Sequence, residues 1–587
     1  MMLIRRLAMI GICAMCVSTP AMASSSEALN KLFEEYWSNE MREDPFAATR
    51  NGVSGYDDQI PKVTPQDYER RRESTQAFAD QLAAIDRNAL DENNALSADL
   101  LAFILKHDLS LSEFDRWRMP FLADSGFHMS FGFVVGATSF RDEQDYVDYI
   151  ARLNALPEYL RQNIENMRRG MADGFTQPKE ILPYILPSFE AQVKDNAAAH
   201  PHYAPFRSMP DSISSRRAAA LRRQAMTVLD EKIIPNYADL AAFMRDEYMP
   251  AARDTIGAYD LPDGRAYYTA LVRYYTSLDT VTPESIHRLG LDEVDRIRNE
   301  MAEVIAETGF DGTFREFIEF LRTDEQFYPK TPQDLLERAA WIAKDIDGRL
   351  PAWFGKLPRQ PYSVEPVPAE IAPNYTTGRY IGAAEDADRG GQYWVNTYAL
   401  DKRPFYEMTA LTLHEATPGH HLQNALALEI EGAPEFRKQF YPHAFGEGWG
   451  LYAEKLGVEM GVYETPYDDF GRLSYEMWRA CRLVIDTGLH AKGWTRQQAL
   501  DYLAENTALS LHNVQTEVDR YIAWPGQALS YKMGELTIWE LRAKAERELG
   551  EDFDIRTFHD AVLNGGGLPL DILRTRINSY IDEAKSK

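Results

Sequence analysis

Three histidines stand within eight residues of one another, His414, His420 and His421, and a glutamate, Glu415, follows the first. Neutral imidazole nitrogens and carboxylate oxygens are the ligands a zinc ion takes. A glutamate beside the first histidine is the usual general base of a zinc hydrolase. The whole chain has only 12 histidines, so this concentration is unlike a scatter of surface imidazoles. Further on, Glu447 begins the segment EGWGLYAEKLGVEM, and Glu454 comes seven residues later, on the same face of a helix. We read Glu447 as the third metal ligand and Glu454 as a carboxylate behind the ligands, bonded to one of their imidazoles.

The spacing departs from the standard zinc helix, in which two histidines four residues apart share a face. Four residues after His414 comes Pro418, which has no ligand atom. Six residues turn an ideal helix by about 600°, which puts His420 on another face. His421 returns to the face of His414 but about 10 Å along the axis, too far for one ion with bonds near 2 Å. The donors meet only if the helix is interrupted, and Pro418-Gly419 supply the interruption. Proline removes a helical hydrogen bond and clashes with the preceding turn, and glycine tolerates the resulting torsions. With Thr417-Pro418 or Pro418-Gly419 bulged out, His420 drops to the position of the second ligand. His421 is the alternative ligand, or otherwise a neighbour behind the ligand set.

A third block, Glu517 to Glu535, contains the turn Trp524-Pro525-Gly526-Gln527 with Tyr521 before it and Tyr531 after it. Peptide hydrolysis passes through an oxyanion, which a phenol hydroxyl stabilises. Tyr531 is the first choice for that donor and Tyr521 the second. Arg520 is a candidate partner for a substrate carboxylate.

The elements that must position these groups follow from periodicity. Amphipathic helix dominates from Glu27 to about Leu357, with long periodic segments at Glu143–Met171, Ser214–Tyr248 and Thr282–Thr308. The last opens on Thr282-Pro283, an N-cap followed by proline in the first turn. Between Pro358 and Leu400 the texture changes to short runs rich in aromatic and β-branched residues, punctuated by Gly and Pro. We expect a small sheet there, with proline confined to an edge. Such an edge could hold an extended peptide by its main chain, with Asn396 and Tyr398 as substrate contacts. Helix resumes at Phe405 and continues to the end.

The first residues carry Arg5-Arg6, a short apolar run and an Ala21-Met22-Ala23 end, the pattern of an export signal cleaved near Ala23. Cys13 and Cys16 lie inside that segment, so the mature chain keeps Cys481 alone and no internal disulfide. No later run spans a membrane. A formal charge of −27 argues against nucleic acid as a partner and is most simply a solubility device, although a field of that sign favours cationic peptides.

HEATPGHHLQ, GEGWGLYAE and PGQALSYKMGE together resemble the bacterial exported domain-of-unknown-function 885 family. That family is in turn similar to the helical gluzincin metallopeptidases: thimet-type oligopeptidases, Taq-type carboxypeptidases and angiotensin-converting enzyme. The resemblance implies a mainly α, two-lobed metallopeptidase-like fold enclosing a deep channel, with a small β-sheet next to the active site. It matches His414 and Glu415 to the first ligand and base, and His420 to the second ligand after two extra residues. Glu447 and Glu454 match the two-glutamate segment, and Tyr521 and Tyr531 the transition-state tyrosines. The expectation is an exported peptidase with one zinc per chain, acting on short peptides. Its rivals are a non-catalytic periplasmic peptide-binding protein on the same fold and a metallohydrolase of another amide or ester. Residues 24–357 form the expected helical N-terminal region, and 358–587 add the sheet and the catalytic helices to make one unit.

Overall fold

Capping chemistry sets where the long helices start. In a computed structural model of the chain, which describes residues 25–369, 371–372, 375–383 and 389–586, Thr282 accepts the Ser285 N–H and Pro283 occupies the first turn of the helix Pro283–Thr308. Thr465 and Asp468 make the same reciprocal cap ahead of Pro466–Ala491. The expected signal segment lies outside the described residues. Periodic segments become helices at Glu92–Ser112 and Glu143–Asp173. The stretch 215–251 is helical throughout, with two wider π turns at Leu229–Ile233 and Met244–Tyr248. Pro235 and Pro250 follow these turns, where a missing N–H and a ring clash are absorbed by a ladder already widened.

The fold is mainly helical with one small sheet. Its strands are β1 (Tyr362–Pro366), β2 (Gly378–Ile381) and β3 (Gly391–Val395), in the order β1-β3-β2. β3 is central, parallel to β1 and antiparallel to β2, with Tyr380 opposite Tyr393. Pro366 ends the edge strand β1, where no ladder bond is lost. Tyr393 and Val395 of β3 are buried, and β2 is the other edge.

Seven helices position the site: α1 (Pro283–Thr308), α2 (Met408–Glu415), α3 (His420–Leu428), α4 (His443–Glu459), α5 (Pro466–Ala491), α6 (Leu511–Ala523) and α7 (Ser530–Leu549). From Phe470 to His490, α5 is buried on every side, so it reads as hydrophobic all round interrupted by paired charges. α1 lies along it, with Gly290 against Leu483 and Val484, and α4 packs on α7. The main apolar core draws on residues from Leu29 to Ile581. No helix among the described residues is long and apolar enough to cross a membrane.

A buried ionic cluster ties α1, α5 and α7 together. The fully buried Lys532 ammonium lies 2.8 Å from Glu476, 2.6 Å from Glu535 and 3.1 Å from Glu293. Arg296 pairs with Glu293 and Glu476, and Arg472 reaches Glu476 at 3.1 Å. Burial penalises every member, but the opposing charges keep Lys532 protonated and hold Glu476 well below the usual carboxylate range. Lys532→Met strands three carboxylates in the interior, at a cost of about 3–5 kcal/mol. Urea unfolding at pH 7 should show a loss of that size; an unchanged midpoint would mean that water or the arginines compensate.

Candidate metal centre

α2 ends at Glu415, and α3 begins at His420 after a four-residue break. Ala416 leaves helical torsions (φ −96°, ψ −117°), and Thr417-Pro418 is a cis peptide. The chain then doubles back so tightly that a Cβ on Gly419 would lie 1.9 Å from the His414 carbonyl oxygen. Only glycine fits there. The Trp449 indole N–H donates to the Pro418 carbonyl at 2.8 Å and clamps the reversal onto α4.

This break turns His420 toward His414. The two rings stand 4.6 Å apart and nearly perpendicular, at 85°. Glu447, four residues into α4, reaches both: its Oε2 lies 3.7 Å from His414 Nε2 and 3.6 Å from His420 Nε2. One ligand atom from each of the three residues falls within 4.8 Å of the others. A tetrahedral ion with bonds of about 2.1 Å sets its ligands about 3.4 Å apart, so this donor set fits a zinc-sized cation with little movement. His421 points elsewhere. Its Nδ1 meets the Tyr380 hydroxyl at 3.2 Å and its Nε2 the Gln360 carbonyl at 3.0 Å, and burial pulls it down to about 4, so it is a neutral structural imidazole. Of the two candidates for the second ligand, only His420 faces Glu447.

Glu454 occupies the place behind the cluster. Its Oε1 accepts the His414 Nδ1–H at 2.7 Å, which fixes the tautomer and leaves Nε2 free to ligate. Arg479 backs the same oxygen at 3.5 Å. Burial disfavours charge on His414, but its bonds to Glu447 and Glu454 prevail and lift it to about 10. Burial likewise opposes charge on Glu447, and the two imidazoles overcome it and hold that carboxyl well below its ordinary value. The Glu447 and Glu454 carboxylates therefore favour positive charge at His414.

Glu415 is not part of the ligand triad. Its Oε2 accepts the backbone N–H of Tyr380 on β2 at 2.8 Å, so the edge strand orients it and the other oxygen is left for chemistry. Glu415, the three ligands and Tyr531 all border one cavity of about 980 Å³.

The remaining candidates divide. The Tyr531 hydroxyl lines this cavity and accepts from Arg520 Nη2 at 3.3 Å. Arg520 also lines it and donates to the Gln527 side chain at 2.8 Å. Tyr521 does not border the cavity. Its hydroxyl accepts from Trp478 Nε1 and Arg482 Nε, both at 2.9 Å, so it is a buried brace rather than an oxyanion donor. Asn396 is fully buried, and its amide N–H groups bond the carbonyls of Ala372, Tyr375 and Thr376, so it shapes the loop before β2 and has no hydrogen left for a substrate. Tyr398 is exposed and away from the cavity. The expectation failed for this pair because β3, whose end they follow, is the central strand and β2 the edge.

The lining residues not singled out from sequence include Tyr441, His443, Arg482 and Arg379. His443 had a readable signal, since it stands four residues before Glu447 on one helical face. Tyr441 packs 6.2 Å from the His420 ring, and burial with the Glu447 charge beside it raises its hydroxyl well above the ordinary tyrosine value. Arg482 and Arg379 carry no local signal.

Fold and site together define a class: a mainly helical protein with a buried two-histidine, one-glutamate cluster opening on a large cavity. The chain belongs to a family of bacterial proteins of unknown function, DUF885, whose profile matches residues 45–577. It is similar to a crystal structure described as "the putative lipoprotein from Colwellia psychrerythraea", with 28% identity and a TM-score of 0.90, covering 96% of this chain and 100% of that one. A structure of "a putative lipoprotein of unknown function from Shewanella oneidensis" shares the fold at 17% identity and a TM-score of 0.71, covering 94% of this chain and 99% of that one. No curated protein matches the chain significantly.

Proposed function

We propose that this protein is an exported zinc-dependent metallopeptidase that hydrolyses short peptides. The observation that carries the reading is the convergence of His414, His420 and Glu447 beside a carboxylate, Glu415, that ligates nothing and faces the same cavity. The resemblance of HEATPGHHLQ and GEGWGLYAE to gluzincin metallopeptidases supports it. Export rests on the pattern of residues 1–23 and on the lipoprotein description of the two similar structures.

His414, His420 and Glu447 would hold the zinc, which when bound would supply Lewis acidity for a water and a carbonyl. The chain supplies the rest. Glu415, fixed at Oε2 by the Tyr380 N–H, takes a proton from the attacking water at its other oxygen and delivers it to the departing amine. The carbon–oxygen bond forms and the carbon–nitrogen bond breaks, leaving a carboxylic acid and an amine, and passage of the remaining proton to the amine gives carboxylate and ammonium. Tyr531 donates its hydroxyl hydrogen to the developing oxyanion, and Arg520 keeps that hydroxyl polarised. Glu454 keeps the His414 ring in its ligating tautomer.

Elemental analysis after dialysis against trace zinc tests the first step: about one zinc per chain, lost in His414→Ala, is expected. A peptide screen with Glu415→Gln as the inactive control tests the second. Zinc that persists in His414→Ala would sink the assignment, and tight peptide binding without turnover would turn it toward a binding protein.

A further inference from the structure

The cavity carries a charge opposite to that of the chain. The protein has a formal charge of −27, yet six of the residues lining the cavity are Lys or Arg, four are Glu and none is Asp. Of those glutamates, Glu447 is a ligand, Glu415 the base, and Glu435 pairs with Lys438 at 3.1 Å. Glu517 alone faces the arginines of α5 and α6. It lies 2.8 Å from Arg482 and 3.6 Å from Arg520. The sequence expectation that a negative field favours cationic peptides therefore does not extend to these walls.

Two guanidiniums share that single carboxylate in a place with little water. Arg482 is 2% exposed and stacked between Tyr531, whose ring centroid is 4.0 Å from Cζ, and Trp478 at 4.6 Å. Its Nε and Nη2 are satisfied by Tyr521 and Glu517, but Nη1 has no partner among the described residues. Arg520 lies alongside: its Nη2 donates to two neutral groups, Gln527 and Tyr531, and its Nη1 lies 3.6 Å from the same Glu517. Buried guanidinium donors are ordinarily matched by carboxylates, so the arrangement is one acceptor short.

We infer that Arg482 and Arg520 form a subsite for a carboxylate of the substrate, and that its source is the free C-terminus of the peptide. The inference rests on the peptidase reading and adds its end preference. Both arginines adjoin Tyr531, which is assigned to the oxyanion. A carboxylate held on them is therefore separated from the reacting carbonyl by no more than about two residues of extended chain, at roughly 3.5 Å each. The enzyme trims one or two residues from C-terminal ends and leaves the middle of long chains alone.

The test uses the zinc-loaded full chain and one short peptide in four forms: free acid, C-terminal amide, N-acetylated acid, and amide with glutamate as its last residue. Amidation should lower kcat/KM at least about 30-fold, the effect of removing one partner of a buried charge pair, and N-acetylation should change it little. Arg520→Gln should raise KM for the acid by a similar factor and leave KM for the amide within about threefold, while kcat falls for both, because Arg520 also polarises the Tyr531 hydroxyl. If that variant fails to fold, Arg520→Lys, which keeps the charge and loses the fork, should fall between it and wild type. Equal cleavage of acid and amide overturns the inference. Recovery by the glutamate amide keeps the subsite and moves its ligand to a side chain. If the zinc-loaded protein cleaves none of the four, the peptidase reading fails. Binding of acid against amide to Glu415→Gln, followed calorimetrically, then decides the subsite alone, with equal affinity overturning it.

Discussion

Glu415→Gln is expected to lower kcat/KM for a cleaved peptide by about a thousand-fold and to leave one zinc per chain in place. The two halves of this result have separate physical causes. Glu415 lies outside the ligand triad, so the donor set His414, His420 and Glu447 is untouched by the change. A glutamine carbonyl oxygen can also keep accepting the Tyr380 N–H that now bonds Oε2 at 2.8 Å, so the side chain stays where it is. An amide cannot take up a proton, and the transfer from water to leaving amine loses its carrier. Single-turnover kinetics alongside elemental analysis would check it. Loss of zinc with the activity would show that Glu415 holds the site together rather than serving as its base, and unchanged turnover would remove it from the mechanism.

Gly450→Ala is expected to weaken metal retention severely without removing any ligand. Gly450 sits on α4 one turn from Glu447, and a Cβ there would fall 2.5 Å from Cε1, 2.7 Å from Nδ1 and 2.8 Å from Nε2 of His414. The imidazole lies flat against the helix backbone and has no room to yield on that side. The added methyl must tilt the ring, which breaks the 2.7 Å bond to Glu454 and turns Nε2 away from Glu447. Disturbing a ligand's supporting bond costs about 10–100-fold in metal affinity, and displacing the ligand itself should exceed that, so a fall of more than about 100-fold is expected. A chelator competition titration measures it, with circular dichroism to establish that the helices survive. Wild-type affinity in a folded Gly450→Ala protein would mean that His414 is not a ligand.

Much of the site's arrangement was legible locally. The adjacency of His414 and Glu415, the seven-residue step from Glu447 to Glu454 and the Pro-Gly interruption are properties of a few neighbouring residues. Helical periodicity converts such steps into faces without knowledge of the rest of the fold. The sheet was readable for a related reason: short β-branched and aromatic runs between glycines and prolines are strands in any context, and they appear as β1, β2 and β3.

Direction was not legible. The sequence by itself says that the helix must break after Glu415, but not where the chain goes next. The choice of His420 over His421 is made by the fit of Gly419 against the His414 carbonyl and by the Trp449 bond to Pro418, contacts between α2, α3 and α4. Tyr521 and Tyr531 stand on opposite sides of one turn, and only packing against α5 decides that the first braces Arg482 while the second faces the cavity. Asn396 and Tyr398 follow a strand whose type was evident but whose place in the order β1-β3-β2 was not. The five arginines around the cavity are Arg50 and four from β2, α5 and α6, separated by up to about 470 residues of chain, and no local pattern links them. Local spacing determines which face a residue occupies, whereas the neighbour that face meets is set by packing between distant elements.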